Sequence, residues 1–253
     1  MTSITDSTAL DQPDAGALAA TFVDLARSVI EGKDMVEVFS MLAERCVQLL
    51  PVAACGLLVV DTRGDLQVIG ASSHAAHLLD LFQVQNEEGP CLQCCRTGVA
   101  VVDVDLAADG PWPRFAALTL EHGFRAVYAL PLAARGVAVG ALNLFAGAPI
   151  GAGPVAIAQA LADAATIALL QADPREDVVV LTRQLHVVVE TRNTIEQAKG
   201  VVAQRFDIDA DEAFARLRGA AVRTDMRLVE VAAAVVARDP ANAAARLLAR
   251  PPA

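Results

Sequence analysis

Aromatic residues and lysine are scarce in this chain, with one tryptophan, one tyrosine and eight phenylalanines in 253 residues, and two lysines beside eighteen arginines. With so few large rings the core must be filled by aliphatic side chains, and 51 alanines supply much of the 55% hydrophobic content. Alanine buries little area, so that fraction is not the mark of a membrane protein. Five cysteines in a chain this long do not make a disulfide scaffold, and the absence of a second C-x-x-C pair argues against a four-ligand zinc site. The sequence also lacks the G-x-x-x-x-G-K-[ST] loop, the G-x-S-x-G elbow and the H-E-x-x-H pair of nucleotide, acyl-transfer and zinc-protease chemistry. Its N-terminus lacks a basic region followed by an apolar one, so residues 1–15 read as a disordered lead-in and the chain is expected in the cytoplasm.

Positive charge is missing from one part only. Residues 1–174 carry a net −11 and residues 175–253 a net +1, a shift that marks a boundary. The acidic part repels nucleic acid, and the C-terminal part is where such binding has a physical basis. No charge falls between Arg135 and Asp163, a run long enough to span a bilayer. Five glycines, Pro149, Pro154, Asn143 and Gln159 divide it into a strand, a turn and the start of a helix.

The periodicity predicts two helices between Gly16 and Leu50, carried by Phe22, Leu25, Ala26 and Val29 and then by Val36, Phe39, Ala43, Cys46, Val47 and Leu50. A hairpin turns at Thr62-Arg63-Gly64-Asp65. A helix from Ser73 to Phe82, a cysteine-rich knot, a Val-rich strand and a helix from Pro113 to His122 follow. Two strands then flank Ala133-Ala134-Arg135-Gly136, and an alanine helix from Pro154 to Ala172 closes the unit. The fold class is α+β: an antiparallel sheet flanked by helices over residues 16–172.

Asp173, Pro174 and Glu176 form a capping-box start to a new helix, in which Val178, Leu181, Leu185 and Val188 make a coiled-coil seam. Arg192 and Lys199 interrupt the seam, which is expected to open there because two unmatched cations would not be buried. A second cap at Asp209 starts a helix carrying Ala213, Phe214, Leu217, Ala220 and Ala221. Thr224-Asp225 breaks it, and Leu228, Val231, Ala232, Val235 and Val236 form a third stripe. The divisions are a coiled-coil linker helix at 173–194, a three-helix unit at 195–238 and a tail at 239–253.

These blocks carry a resemblance. Ile195-Glu196-Gln197-Ala198-Lys199-Gly200, Asp211-Glu212-Ala213-Phe214 with Leu217-Arg218, and Leu228 with Val231-Ala232 fall in order at the spacing of an ANTAR domain, the RNA-binding module of transcription antitermination regulators. EGPCLQCCRTG, PWPRFA, GFRAVYALPL and GVAVGALNLF resemble the GAF sensor domain attached to it in such regulators. The resemblance implies a homodimeric, cytoplasmic antiterminator whose ANTAR domain binds paired stem-loops in mRNA leaders, with a small-molecule ligand for the GAF domain and no membrane partner. It implies an RNA-binding set of Arg192, Lys199, Arg205, Arg218, Arg223, Thr224 and Arg227. Two positions depart from the family: Ala221 stands where serine is usual, and Asp225 where asparagine is usual, so a hydroxyl and an amide are lost and a carboxylate is gained.

Each feature also has a plainer reading. Lys199 between Ala198 and Gly200 leaves room for RNA to approach, yet a lone helix lysine commonly snorkels into water. The arginines suit unstacked loop bases, and they equally suit salt bridges with eleven carboxylates nearby. Cys91, Cys94 and Cys95 with His74 and His77 invite metal or thiol chemistry. The competing function is therefore a GAF-based thiol enzyme of the methionine sulfoxide reductase kind, or a redox sensor, whose C-terminal helices only dimerise. Only Arg96 is at hand to activate a thiol, and inert cysteines are commoner. Cys91, Arg96, Trp112, Phe115 and Arg125 are the candidate GAF pocket, although Trp112 between two prolines also suits a core plug. No catalytic residue and no metal ligand is assigned. The GAF part lacks the Asn-Lys-Phe-Asp-Glu signature of cyclic-nucleotide binding and the Cys-His dipeptide of bilin attachment, so its cofactor stays unassigned.

Overall fold

A computed structural model describes residues 14–61, 63–134, 136–170, 178–239 and 241–248, with side chains of the long C-terminal helix given from residue 188 onward. The Asp173 cap lies outside the described residues, as do the side chains of Val178, Leu181 and Leu185.

Helices α1 (Ala15–Ile30) and α2 (Met35–Leu49) lead into strands β1 (Ala54–Val60) and β2 (Leu66–Ala71). Helices α3 (His74–Asn86) and α4 (Pro90–Thr97), strand β3 (Val101–Asp105), helix α5 (Pro113–Glu121), strands β4 (Ala126–Ala134) and β5 (Val137–Ala146) and helix α6 (Ala152–Leu170) complete the unit. The strands form one sheet in the order β2-β1-β5-β4-β3, antiparallel throughout, as the α+β reading requires. Antiparallel sheets often leave one face to water, but here both are covered. Cys55, Leu57 and Val59 of β1 point into the core shared with α1, α2 and α6, whereas Ala54 and Leu58 join smaller clusters under α3, α4 and α5. Burial on both faces explains why these strands read as continuous apolar runs. Helix α6 is long and apolar enough to cross a bilayer, but it packs on β4, α1 and α2 as a core helix.

The cysteine-rich segment is a correction, since it forms α4 and not an irregular knot. Gly89, at φ 151°, turns the chain where a Cβ would lie 2.2 Å from Gln83 Oε1. Pro90 then occupies the first helical turn, where its missing N–H costs nothing, and Gly98 in the left-handed region closes the helix.

The C-terminal unit contains α7 (Val178–Phe206), α8 (Ala210–Thr224), α9 (Leu228–Val236) and α10 (Ala243–Leu247). Helix α7 passes residue 194 unbroken, so the stalk and the first helix of the three-helix unit are one element. The Asp209 carboxylate accepts from Glu212 N–H to start α8, and Asp225, left-handed at φ 52°, ends it. Within the stretch read as a tail, the described residues 241–248 form a packed element: Asn242 caps α10, and Ala244, Ala245 and Leu248 are buried against α8 and α9. One apolar core runs through both units, joining Phe39, Leu42 and Leu161 to Val188, Ile195, Val202, Leu217 and Val231.

Candidate nucleic-acid interface

Arg192 is the deepest of the predicted cations. It is only 6% exposed, its guanidinium is paired with the Glu196 carboxylate one turn on, and NH2 donates to His77 Nδ1 of α3 at 3.3 Å. Within the chain this cation is buried, and not unmatched as the sequence reading assumes, because Glu196 pairs with it. Lys199 binds the same carboxylate at 3.0 Å from the other side, and its ammonium lies 5.5 Å from the centroid of the Phe214 ring. Burial alone would raise the Glu196 pKa, but Arg192, Lys199 and the hydrogen bond from Lys199 outweigh it and hold the carboxyl below its ordinary value. For Arg192 burial wins over Glu196, and its pKa falls. Its Nε has no hydrogen-bond partner among the described residues. His77 is pushed down to about 4, first by burial and then by the Arg192 charge. Neutral His77 accepts the arginine, so this contact holds near neutrality and breaks as pH falls through about 4, and its stabilising contribution, full above about 6.5, declines between those two values.

A second contact joins α8 to α2. The Arg218 guanidinium forks onto Glu44, at 3.0 Å to Oε1 and 3.4 Å to Oε2, while stacking 4.9 Å from the Phe214 centroid. In a third, Asp34 Oδ2 accepts from the Val229 N–H at 2.9 Å, placing a carboxylate from the N-terminal unit on the positive end of α9. Between these contacts runs a groove of about 400 Å³, with Glu31, Lys33, Asp34 and Glu37 on one wall and Asp225, Met226 and Arg227 on the other. Burial raises the Glu37 carboxyl above its ordinary value despite Lys33 nearby.

The GAF domain family matches residues 32–170 and the ANTAR domain family residues 183–236. The chain belongs to the GAF–ANTAR family. The ANTAR domain is an RNA-binding antitermination module and the GAF domain a sensor, so the protein is a regulator. No curated protein matches it. Solved structures similar to it include the GAF domain of a phosphoenolpyruvate-protein phosphotransferase from Coxiella burnetii, with 17% identity over 64% of this chain and 99% of that one at a TM-score of 0.49. Free methionine-R-sulfoxide reductase from Neisseria meningitidis gives 17% identity over 68% and 95% at 0.47.

The remaining predicted ANTAR residues take no part in these three contacts. Arg205 donates to the Leu248 carbonyl, and Arg227 is held by Glu230 at 3.2 Å. Thr224 turns its hydroxyl back onto the Ala220 carbonyl at 2.8 Å, so in this structure the hydroxyl is spent inside the helix. Arg223 is exposed and has no carboxylate partner among the described residues. Glu196, Glu44, Asp34 and His77 were not singled out for this interface in the sequence. Only Glu196 left a signal there, at i+4 from Arg192 and i−3 from Lys199.

In the GAF domain the five pocket candidates do not converge. Cys91 and Phe115 are buried core, and Trp112 is half-buried between two apolar clusters. Arg96 and Arg125 are exposed and pair with Glu87 and Asp105. A buried polar cluster missed in the sequence lies under the sheet: Asn143 Nδ2 donates to Asp80 Oδ1 at 2.7 Å, and Gln83 Nε2 donates to it at 3.3 Å. Gly56 makes this possible, since a Cβ there would lie 1.7 Å from Asp80 Oδ2. That oxygen and Asn143 Oδ1 lack hydrogen-bond partners among the described residues. Burial raises the Asp80 pKa to about 7 against the two hydrogen bonds. Three buried thiols, Cys55, Cys91 and Cys94, are raised above their ordinary value. Burial pushes Cys94 up to about 12, burial raises Cys55 well above the ordinary thiol value, and the Cys95 thiol and burial do the same to Cys91. Among the described residues no three of His, Cys, Asp and Glu gather as metal ligands do.

Proposed function

We propose that the protein is a signal-responsive antiterminator that binds paired RNA hairpins through its ANTAR domain in the cytoplasm, and that the structure is its RNA-closed state. The observation that carries this reading is the occupation of three RNA-binding candidates: Arg192 by Glu196 and His77, Lys199 by Glu196, and Arg218 by Glu44. Glu44 and Asp34 stand where a phosphate would, an oxygen pair on a guanidinium fork and an anion at a helix N-terminus. A signal received by the GAF domain would then act by releasing α2 and α3 from α7 and α8. The reductase alternative is disfavoured by Cys91 and Cys94, whose thiols are buried and raised above their ordinary value.

The test titrates single- and double-hairpin RNA against variants at two salt concentrations. Asp34→Ala combined with Glu44→Gln is expected to tighten hairpin binding about tenfold, from two contacts of roughly 0.5–1 kcal/mol each. Lys199→Ala should weaken it by the same factor for every loop sequence and reduce the salt slope by about one unit. Asp225→Asn should tighten binding and leave the helix end intact, because asparagine also accepts the left-handed conformation. Two hairpins on one transcript should bind far better than one. A protein that binds no hairpin in any of these forms would overturn the reading.

We also propose that the protein is a dimer. Val23, Ile30 and Ile167 are half or more exposed on α1 and α6, beside a groove of about 190 Å³ lined by Phe22, Leu25, Val29 and Ala164. That face supplements a seam too short to hold two chains alone. Ile30→Asp with Ile167→Asp should halve the mass measured by light scattering, as should Leu181→Asp with Leu185→Asp. A wild type that is monomeric at about 50 µM, within the ordinary range of oligomer affinities, would refute the dimer.

A further inference from the structure

Helix α8 has a second flank, turned away from Arg218, on which Glu212, Arg216, Gly219 and Arg223 form one stripe at helical spacing. With Phe206 at the end of α7 and Leu248 after α10 they line an open groove of about 480 Å³, a volume typical of small-ligand sites. The Arg216 guanidinium lies 4.5 Å from the centroid of the Phe206 ring and is held by Glu212 Oε1 at 2.8 Å. Its plane is thus fixed before any ligand arrives. Gly219 weakens the helix relative to alanine, and what it provides is space: a Cβ there would lie 3.2 Å from Arg223 NH1. The second guanidinium therefore lies back along the groove.

We propose that this groove seats an unpaired guanine of an RNA loop, an assignment that rests on the RNA-binding reading of the ANTAR domain. A planar, stacked guanidinium is a surface for a nucleobase. The carboxylate beside it selects against phosphate and demands N–H donors. Guanine presents two adjacent donors, N1–H and the N2 amino group, to Glu212, and two adjacent acceptors, O6 and N7, to an arginine. Adenine would turn its N1 lone pair on the carboxylate. None of Arg218, Lys199 and Arg192 lines the groove, and it is open while those three are covered.

The experiment uses the full chain and fluorescein-labelled tetraribonucleotides UGUU, UAUU and UUUU, read by anisotropy, beside a double-hairpin RNA. UGUU is expected to bind about tenfold more tightly than UAUU. Glu212→Gln should bring that ratio below threefold, and Arg216→Gln should weaken UGUU tenfold. Gly219→Ala should weaken UGUU about threefold while raising thermal stability, which separates loss of the seat from loss of the fold. Asp34→Ala with Glu44→Gln should change hairpin affinity and leave the UGUU to UAUU ratio unchanged. Tetranucleotides that bind within twofold of one another, or a ratio indifferent to Glu212→Gln, overturn the guanine seat even if hairpins bind. Hairpins that fail to bind while UGUU shows its preference overturn the antiterminator reading and leave the seat standing.

Discussion

Replacing Glu196 with glutamine is expected to cost about 3 kcal/mol, a fall of roughly 6–12 °C in Tm for a chain of this size. The carboxylate is shared by Arg192 and Lys199, and Arg192 is 6% exposed. Glutamine keeps the shape and removes the charge, leaving a guanidinium that has already lost more to burial than Glu196 returns to it. Lys199 can swing into water, but Arg192 cannot without parting α7 from α3. Arg192→Met combined with Glu196→Leu should recover most of the loss, because a buried ion pair replaced whole by apolar groups is often close to neutral. Calorimetry of the two single variants and the double decides it. A Glu196→Gln protein melting within 2 °C of the wild type, at any threshold chosen for such a shift, would mean the cation is not held as described.

Asp80→Asn is expected to act in the opposite direction, and increasingly so as pH rises from about 4 to 7. The Asp80 carboxyl has its ordinary value of 3.8 when unfolded and about 7 in the folded protein. The folded state therefore binds the proton more tightly. Its stabilising contribution is fully present below about pH 4 and is lost as pH rises to 7, with a ceiling of roughly 4 kcal/mol. Asparagine has no proton to lose. The variant should melt nearest the wild type at about pH 4 and several degrees above it at pH 8, and the comparison cancels every other titrating group. An equal difference at both pH values would show that Asp80 does not titrate in this window.

The sheet was legible because its turns announce themselves: Gly64 and Gly136 each lie at positive φ between apolar runs, and the runs became β1–β2 and β4–β5. Helix α4 was not legible, because its start depends on Gly89 fitting against Gln83 from another helix, and Gly-Pro followed by three cysteines reads locally as a turn. The ANTAR helices were readable from their caps at Asp209 and Asp225. The state of the interface was not. The partners Glu44 and His77 lie 174 and 115 residues away in sequence from Arg218 and Arg192, and nothing in a local pattern links them. Arg216 was passed over for the converse reason: Glu212 at i−4 made it an ordinary surface pair, and its stacking on Phe206 depends on how α7 turns into α8.

Helix α7 packs on α2, β1 and β2 of the N-terminal unit and runs on into the ANTAR domain as a single element of 29 residues. At 1.5 Å per residue it is a rod about 43 Å long, with Arg192 near the middle. Pivoting such a rod by about 5° at its first turn displaces Arg192 by roughly 2 Å and the far end by nearly 4 Å. A hydrogen bond does not stretch that far, so under the closed-state reading proposed above a tilt of this size would break the Arg192 contact to His77 outright.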